Sequence, residues 1–256
     1  MTRIWPLVIR AGARLGLLLM CIGATGCAAL GEGDYGSDVA VLDQAESFNR
    51  KSYQFTDAVD RNLVRPVARG YHRVMPDWLE TGILNVFQNL RTVPSAVNGF
   101  LQGKPRAGMT DLGRLVINST LGIGGFFDVA GRWNMPYQDE DFGQTLAVWG
   151  YERSRFVYVP FMGPTTLRDL PSLLVRSAMP RLILGDDYHI AISALDLVSV
   201  RAELLTATDV RDVSALDPYA FTRDAYYQRR KFLIHDGELV EDEFFDEFDD
   251  FEDESP

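Results

Sequence analysis

The chain has 256 residues, 46% of them hydrophobic and 24% charged, with 36 acidic against 25 basic side chains and a formal net charge of -11. That length suits one domain with a sizeable core. The acidity is concentrated in the last segment, and the nearly neutral remainder offers no basic stripe of the sort a phosphate backbone requires, so no nucleic acid is expected as a partner.

At the N-terminus, Arg3, Arg10 and Arg14 lead into the apolar run Leu15 to Ile22, and the small residues Gly23, Ala24, Thr25 and Gly26 stand directly before Cys27. This is the order of an export signal, and the run is shorter than the roughly 20 apolar residues that cross a bilayer. Ala-Thr-Gly-Cys resembles the lipobox of bacterial lipoproteins, with Ala24 where Leu is usual. Residues 1–26 are read as a signal peptide and Cys27 as the lipidation site, carrying an S-diacylglycerol and an N-acyl (palmitate) chain. Cys21 lies inside the signal, so the mature chain keeps one cysteine and no disulfide is possible within it. Ala28 after Cys27 resembles the outer-membrane sorting pattern. Residues 27–42, with Gly, Ser and Asp between Gly31 and Val41, read as a lipidated tether.

Residues 43–235 read as one mainly helical domain. Gln44 to Arg61 places Phe48, Phe55 and Val59 on one face of an amphipathic helix. Pro66 and Pro76 are expected to break the helical pattern into short pieces. Thr81 to Leu90, with Ile83, Leu84, Phe87 and Leu90 as its apolar face, and Ala96 to Leu101 follow. Asp111 to Leu121 reads as a helix with Asp111 at its N-terminus. Phe156 to Phe161, ending beyond Pro160, is an isolated extended segment or edge. The apolar faces are broad, as in Leu112, Leu115, Val116 and Ile117, in Leu173, Leu174 and Val175, and in Leu182, Ile183 and Leu184. Such faces fit a bundle core or a membrane leaflet, and composition does not choose between them.

No catalytic constellation emerges. His72, His189 and His235 are scattered, G-x-S-x-G is absent, and the histidines read as structural. Gly122, Gly124 and Gly125 lack the spacing of a phosphate-cradling loop. They supply backbone freedom for a turn or hinge ahead of Phe126 and Phe127. Asp139, Glu140 and Asp141 do not converge as metal ligands, and Asp141 or Glu140 is expected to cap a helix running through Gln144 to Trp149. Neither catalytic residues, a metal nor another cofactor is assigned.

The last segment, 236–256, holds twelve acids and no Lys or Arg, leaving 22 basic and 24 acidic residues in 28–235. It reads as an acidic, disordered tail. Phe244, Phe248 and Phe251, with Phe245 beside them, also allow a helix that docks a basic partner.

Several ordered segments carry a resemblance. They are Glu46-Ser-Phe-Asn-Arg50, Pro66-Val-Ala-Arg-Gly-Tyr71, Val97-Asn-Gly-Phe-Leu-Gln-Gly-Lys104, and Asp111-Leu-Gly-Arg-Leu-Val-Ile-Asn-Ser-Thr120 with Gly122-Ile-Gly-Gly-Phe-Phe-Asp128. They continue with Glu140-Asp-Phe-Gly-Gln-Thr-Leu146, Trp149-Gly150, Pro160-Phe-Met-Gly-Pro-Thr-Thr-Leu-Arg-Asp169, Asp217-Pro-Tyr-Ala-Phe-Thr-Arg223 and Gln228-Arg-Arg230. Together they resemble the MlaA (VacJ) family of phospholipid-transport lipoproteins from about Asp43 to Arg230, the acidic tail standing outside the likeness. The resemblance implies a ring-like arrangement of helices embedded in the inner leaflet of the outer membrane, lipid-anchored on its periplasmic face. It implies a polar channel that takes mislocalised phospholipid from the outer leaflet to a soluble periplasmic carrier, in association with a trimeric porin. The turn Gly122, Gly124, Gly125, Phe126 and Phe127 is then expected to gate the channel, and Arg114, Arg132 and Arg168 are candidates for lipid phosphates or for surface salt bridges. The competing expectations are an envelope assembly lipoprotein that moves no lipid, and a lipase using Ser119.

Overall fold

The computed structural model describes residues 43–185 and 187–238. Cys27, the tether and the tail from 239 onward lie outside them, as do the side chains of Leu182, Ile183 and Leu184. The described chain is mainly helical. Its elements are α1 (Glu46–Val59), a π-helical segment (Asp60–Val64), α2 (Arg65–Val74), α3 (Asp77–Leu101), α4 (Pro105–Thr120), α5 (Val129–Arg132) and α6 (Phe142–Val148). A hairpin of β1 (Phe156–Val159) and β2 (Gly163–Thr166) follows, then α7 (Leu170–Leu184), α8 (His189–Glu203), α9 (Leu205–Ser214) and α10 (Pro218–Ile234). Among the described residues, no helix is long and apolar enough to cross a membrane.

The prolines do less breaking than expected. Pro66 sits in the first turn of α2, and the chain stays helical from Glu46 to Val74 because the π-segment before it absorbs the missing N–H and the ring's steric demand. Pro94 lies inside α3, so the two expected helices are one of 25 residues, about 37 Å long. Pro76 does separate α2 from α3. Asp111 is not at a helix start, since α4 begins at Pro105, a favoured first-turn residue. The segment from Phe156 is not isolated: β1 pairs antiparallel with β2, Phe156 opposite Thr166 and Val159 opposite Gly163. The turn after Pro160 is made possible by left-handed Phe161 (φ 64) and Gly163 (φ 93). Asp141 caps α6 by accepting from the Gln144 amide at 2.9 Å, as the sequence predicts.

The α3–α4 pair is the closest helix packing. Gly99 lies over Gly108, where a Cβ would stand 2.9 Å from the Gly108 nitrogen, so small residues let the two backbones touch. A second centre is aromatic: Tyr53, Phe156, Tyr158, Tyr219 and Tyr227 tie α1, β1 and α10 together, with Tyr53 edge-on to Tyr158 at 5.4 Å. The hydroxyl of Tyr219 donates to Asp43 at 2.5 Å, and that of Tyr227 donates to the Ser154 carbonyl at 3.1 Å. Tyr219 and Tyr227 thus bury their rings and satisfy their polar ends, whereas the buried Tyr53 hydroxyl has no hydrogen-bond partner.

The distribution of side chains is inverted relative to a water-soluble bundle. Among the described residues 22 polar or charged side chains are buried against 12 hydrophobic ones, and the latter include no Val, Ile, Met or Trp. Phe48 and Phe55, the expected core face of α1, are more than half exposed, while Asn49, Ser52 and Tyr53 are buried. On α4 the stripe Asp111, Arg114 and Asn118 faces inward, and Met109, Leu112 and Val116 face outward. A helix with one polar and one apolar face has the same periodicity whichever face is turned inward, which is why the pattern did not fix the inner face.

Candidate functional site

Helices α3, α8, α7 and α6 pack each against the next and α6 packs back on α3, closing a circuit. Three of its junctions carry polar bridges. Arg91 of α3 meets Asp196 of α8 at 2.5 Å. Ser172 of α7 accepts from the Gly143 amide at 2.8 Å and lies 3.3 Å from the Asp141 carboxylate at the head of α6. Thr145 of α6 donates to Asn98 of α3 at 2.9 Å.

A buried relay continues from that last junction. Ser95 donates to Asp111 at 2.5 Å and accepts from the Glu140 amide at 2.9 Å, so one hydroxyl couples α3, α4 and the segment entering α6. Gln102 donates to Glu140 at 2.8 Å, and Lys104 pairs with Glu140 at 3.1 Å and also with Asp236. Burial raises the carboxyls of both Asp111 and Glu140, against the lowering effect of Ser95 on one and Gln102 on the other. On the far side of α6, Arg230 of α10 binds Asp141 at 2.6 Å and Asp169 at 2.8 Å. Gly143 is bare there because a Cβ would run into the Asp169 carboxylate.

The glycine turn lies beside this interior. Its stem is closed by Asn118, which donates to Asp128 at 2.9 Å and accepts from the Ala130 amide at 2.9 Å. Gly122 allows the close return of Phe127, whose amide donates to the Gly122 carbonyl at 2.9 Å. Gly124 (φ 68) and Gly125 (φ 95) take left-handed conformations, as does Ile123 (φ 53). The tip is pinned to α3: Asn85 donates to the Phe126 carbonyl at 3.2 Å, Asn89 donates to Ser119 Oγ at 2.9 Å, and Phe126 packs over Gly82 and edge-on to Trp78. The five turn residues therefore form one unit resting on α3. The buried side-chain amide oxygen of Asn89 has no hydrogen-bond partner in this arrangement.

Other sequence candidates fall elsewhere. Arg114 is buried and bound to Asp128 at 3.0 Å and to the Met135 carbonyl. Arg168 is buried against Asp169 at 3.0 Å and the Glu152 carbonyl at 2.6 Å. Both are internal braces rather than surface salt bridges or open phosphate ligands. Arg132 is exposed at the end of α5. Ser119 accepts from Asn89, while His72 faces Glu80 at 2.9 Å and His235 faces the Lys231 carbonyl at 2.8 Å. Arg91, Ser95 and Asn98 of α3 and Asp196 of α8 were not singled out in the sequence, although the recurrence of the first three at helical spacing opposite an apolar stripe was the available signal.

The model for the MlaA lipoprotein family matches residues 41–233. The chain belongs to the MlaA lipoprotein family. It is 36% identical over 234 residues to the intermembrane phospholipid transport system lipoprotein MlaA of Escherichia coli (strain K12), covering 88% of this chain and 91% of that one. The Haemophilus influenzae lipoprotein of the same description is 30% identical over 230 residues, with the same coverage of 88% and 91%. A solved structure described as the structural basis for maintenance of bacterial outer membrane lipid asymmetry superposes with a TM-score of 0.66 at 32% identity, covering 75% of this family member and 98% of that chain.

Proposed function

We propose that this MlaA-family chain is an outer-membrane lipoprotein that removes mislocalised phospholipid from the outer leaflet and passes it through its polar interior, maintaining lipid asymmetry. The observation that carries this is the inverted distribution: exposed Phe, Leu, Val and Trp outside, and a closed helical circuit bridged by Arg, Asp, Ser, Asn and Thr inside. A phospholipid divides the same way. Its head group needs polar company and loses several kcal/mol in hydrocarbon, whereas its chains do not. The outward faces suit acyl chains of one leaflet, and family membership supports the same reading.

Three further parts of the reading complete it. Cys27 carries the lipid anchor on the periplasmic side. The turn of Gly122, Gly124, Gly125, Phe126 and Phe127 gates the interior by leaving α3, a local change of the sort that lids make. A soluble periplasmic carrier accepts the lipid, and a trimeric porin holds the protein in place. The protein binds and moves lipid without bond chemistry.

The test is the amount of surface-exposed phospholipid on cells lacking this chain, complemented by wild type or by Cys27→Ala. Exposed phospholipid should rise on deletion and be restored by wild type alone. No rise on deletion would remove the transport function, and full restoration by Cys27→Ala would remove the anchor.

A further inference from the structure

The two halves of α3 are attached differently. Pro94 has no N–H to give the Leu90 carbonyl, so the helical ladder lacks a bond there. Beyond it the helix is fixed: Ser95 donates to Asp111 at 2.5 Å, Asn98 accepts from Thr145 at 2.9 Å, and Gly99 lies against Gly108. Before it, residues 77–93 form a helical stretch between Pro76 and Pro94 that carries Arg91 and the seat of the glycine turn.

Arg91 faces Asp196 at 2.5 Å across the seam between α3 and α8, and among the described residues this pair is the one polar bridge over that seam. From its other side α8 is held in place: Ser199 donates to the Tyr71 hydroxyl at 3.2 Å, Arg201 binds Asp60 at 2.6 Å, and Ala202 packs with Ala68 in a buried cluster. The remaining junctions of the circuit are tied more firmly. Between α6 and α3 runs the Ser95 and Glu140 relay, between α7 and α6 stands Ser172 with the Arg230 pairs behind it, and α8 follows α7 after four residues. Both side chains of the Arg91–Asp196 pair are mostly buried, while Val93 and Leu197, close to them in sequence, are exposed.

We propose that the α3–α8 seam is a lateral opening through which phospholipid enters the circuit, with Arg91–Asp196 as its latch and Pro94 as the hinge of α3. The proposal rests on the transport reading above and names its route. A lipid whose head group travels inside while its chains stay in hydrocarbon has to cross the wall between two elements, so one junction must part. A lone ion pair that water still reaches parts at small cost, and a stretch bounded by prolines absorbs the motion at its ends. Opening brings Arg91 and Asp196 to the head group, while Val93 and Leu197, already exposed, meet the acyl chains.

The experiment combines Arg91→Cys with Asp196→Cys in the full-length lipoprotein, in cells lacking the wild-type chain, and joins the two thiols with a short bis-methanethiosulfonate that a reductant removes. Cys27 is acylated on this reading and leaves no competing thiol. Bridging should raise surface-exposed phospholipid to the level of the deletion strain, and reduction should restore its clearance. Pro94→Ala restores the missing ladder bond and favours the helix, so it tests the hinge even where the cysteine pair folds poorly. Its melting temperature should rise by several degrees while it clears surface phospholipid severalfold more slowly. Clearance at the wild-type level by the bridged protein overturns the opening, and wild-type clearance by a stabilised Pro94→Ala overturns the hinge. Either result ends the proposal and leaves transport standing. No rise of exposed phospholipid on deletion removes the transport reading, and the seam with it.

Discussion

The Phe126 ring lies on the bare backbone of Gly82, so close that a Cβ at position 82 would overlap it. Gly82→Ala places two effects in opposition. Alanine favours α3 by about 1 kcal/mol, and the new methyl lifts the ring from α3 and from its edge contact with Trp78. The expected outcome is a melting temperature close to wild type, a changed Trp78 emission, and altered removal of surface phospholipid. A displaced turn with unchanged lipid removal would contradict the gate.

The two left-handed glycines should differ. Gly124 has open space around it, so Gly124→Ala costs only the backbone strain of its φ of 68, about 1 kcal/mol. Gly125→Ala adds a collision with the Asn89 side chain and should cost more. Thermal unfolding of the single variants checks the order, and equal losses would show that the turn is not seated on Asn89 in solution.

How much of this was legible in the sequence depended on which physical rule was in play. Helix existence, the Asp141 cap and the Pro76 break followed from local rules that hold in any solvent. The inside did not. Leu112, Leu115, Val116 and Ile117 fitted a bundle core and a membrane leaflet alike, and the buried stripe Asp111, Arg114 and Asn118 went unread, because amphipathicity records two unlike faces without saying which solvent each meets. Pro66 misled for a related reason: a π-segment absorbs a proline that an isolated helix would not tolerate, and the expected gap between Leu90 and Ala96 closes in the same way, with Pro94 inside α3. The Gly122 to Phe127 turn was visible as a cluster of glycines, but its seat on Gly82, Asn85 and Asn89 lies more than thirty residues away in sequence and left no local trace.

Asn49 is fully buried and joins α1 to the hairpin. It donates to Asp43 at 2.7 Å and to the Phe156 carbonyl at 3.2 Å, and accepts from the Tyr158 amide at 2.9 Å. Asn49→Ala removes three buried hydrogen bonds, leaving Asp43 its bonds to Tyr219 and Arg223, and should cost about 2 to 4 kcal/mol. Urea unfolding in detergent measures it, and a loss within the error of the wild-type value would mean the hairpin does not depend on this bridge.

The π-segment carries a charge network with a definite pH signature. Asp60 binds Arg201 at 2.6 Å and Arg65 at 3.2 Å, and Asp212 binds Arg65 at 2.8 Å. Burial acts to raise the Asp212 carboxyl, but Arg65 and Arg211 outweigh it and bring it from 3.8 down to about 2. A carboxyl depressed in the folded state contributes its full stability above its unfolded value, and the contribution is lost as pH falls from there through about 2. Melting temperature should therefore decline between about pH 4 and pH 2. Arg65→Met should cost about 1 to 2 kcal/mol near neutrality, because it takes one of two arginines from each of the half-buried Asp60 and Asp212 carboxylates. It should also flatten that acid limb. An unchanged limb in Arg65→Met would show that the network does not set it.

The central claim is that apolar side chains face acyl chains while the circuit of α3, α8, α7 and α6 encloses a polar path. It is tested most directly by attaching a small fluorophore to cysteine at position 116 or 172 in the full-length lipoprotein in phospholipid vesicles, and comparing bilayer-borne with aqueous ionic quenchers. The account predicts that the label at 116 is quenched from the bilayer and shielded from the ion, and that the label at 172, at the α7–α6 junction, shows the reverse. Aqueous quenching at 116, or bilayer quenching at 172 without aqueous access, would contradict it.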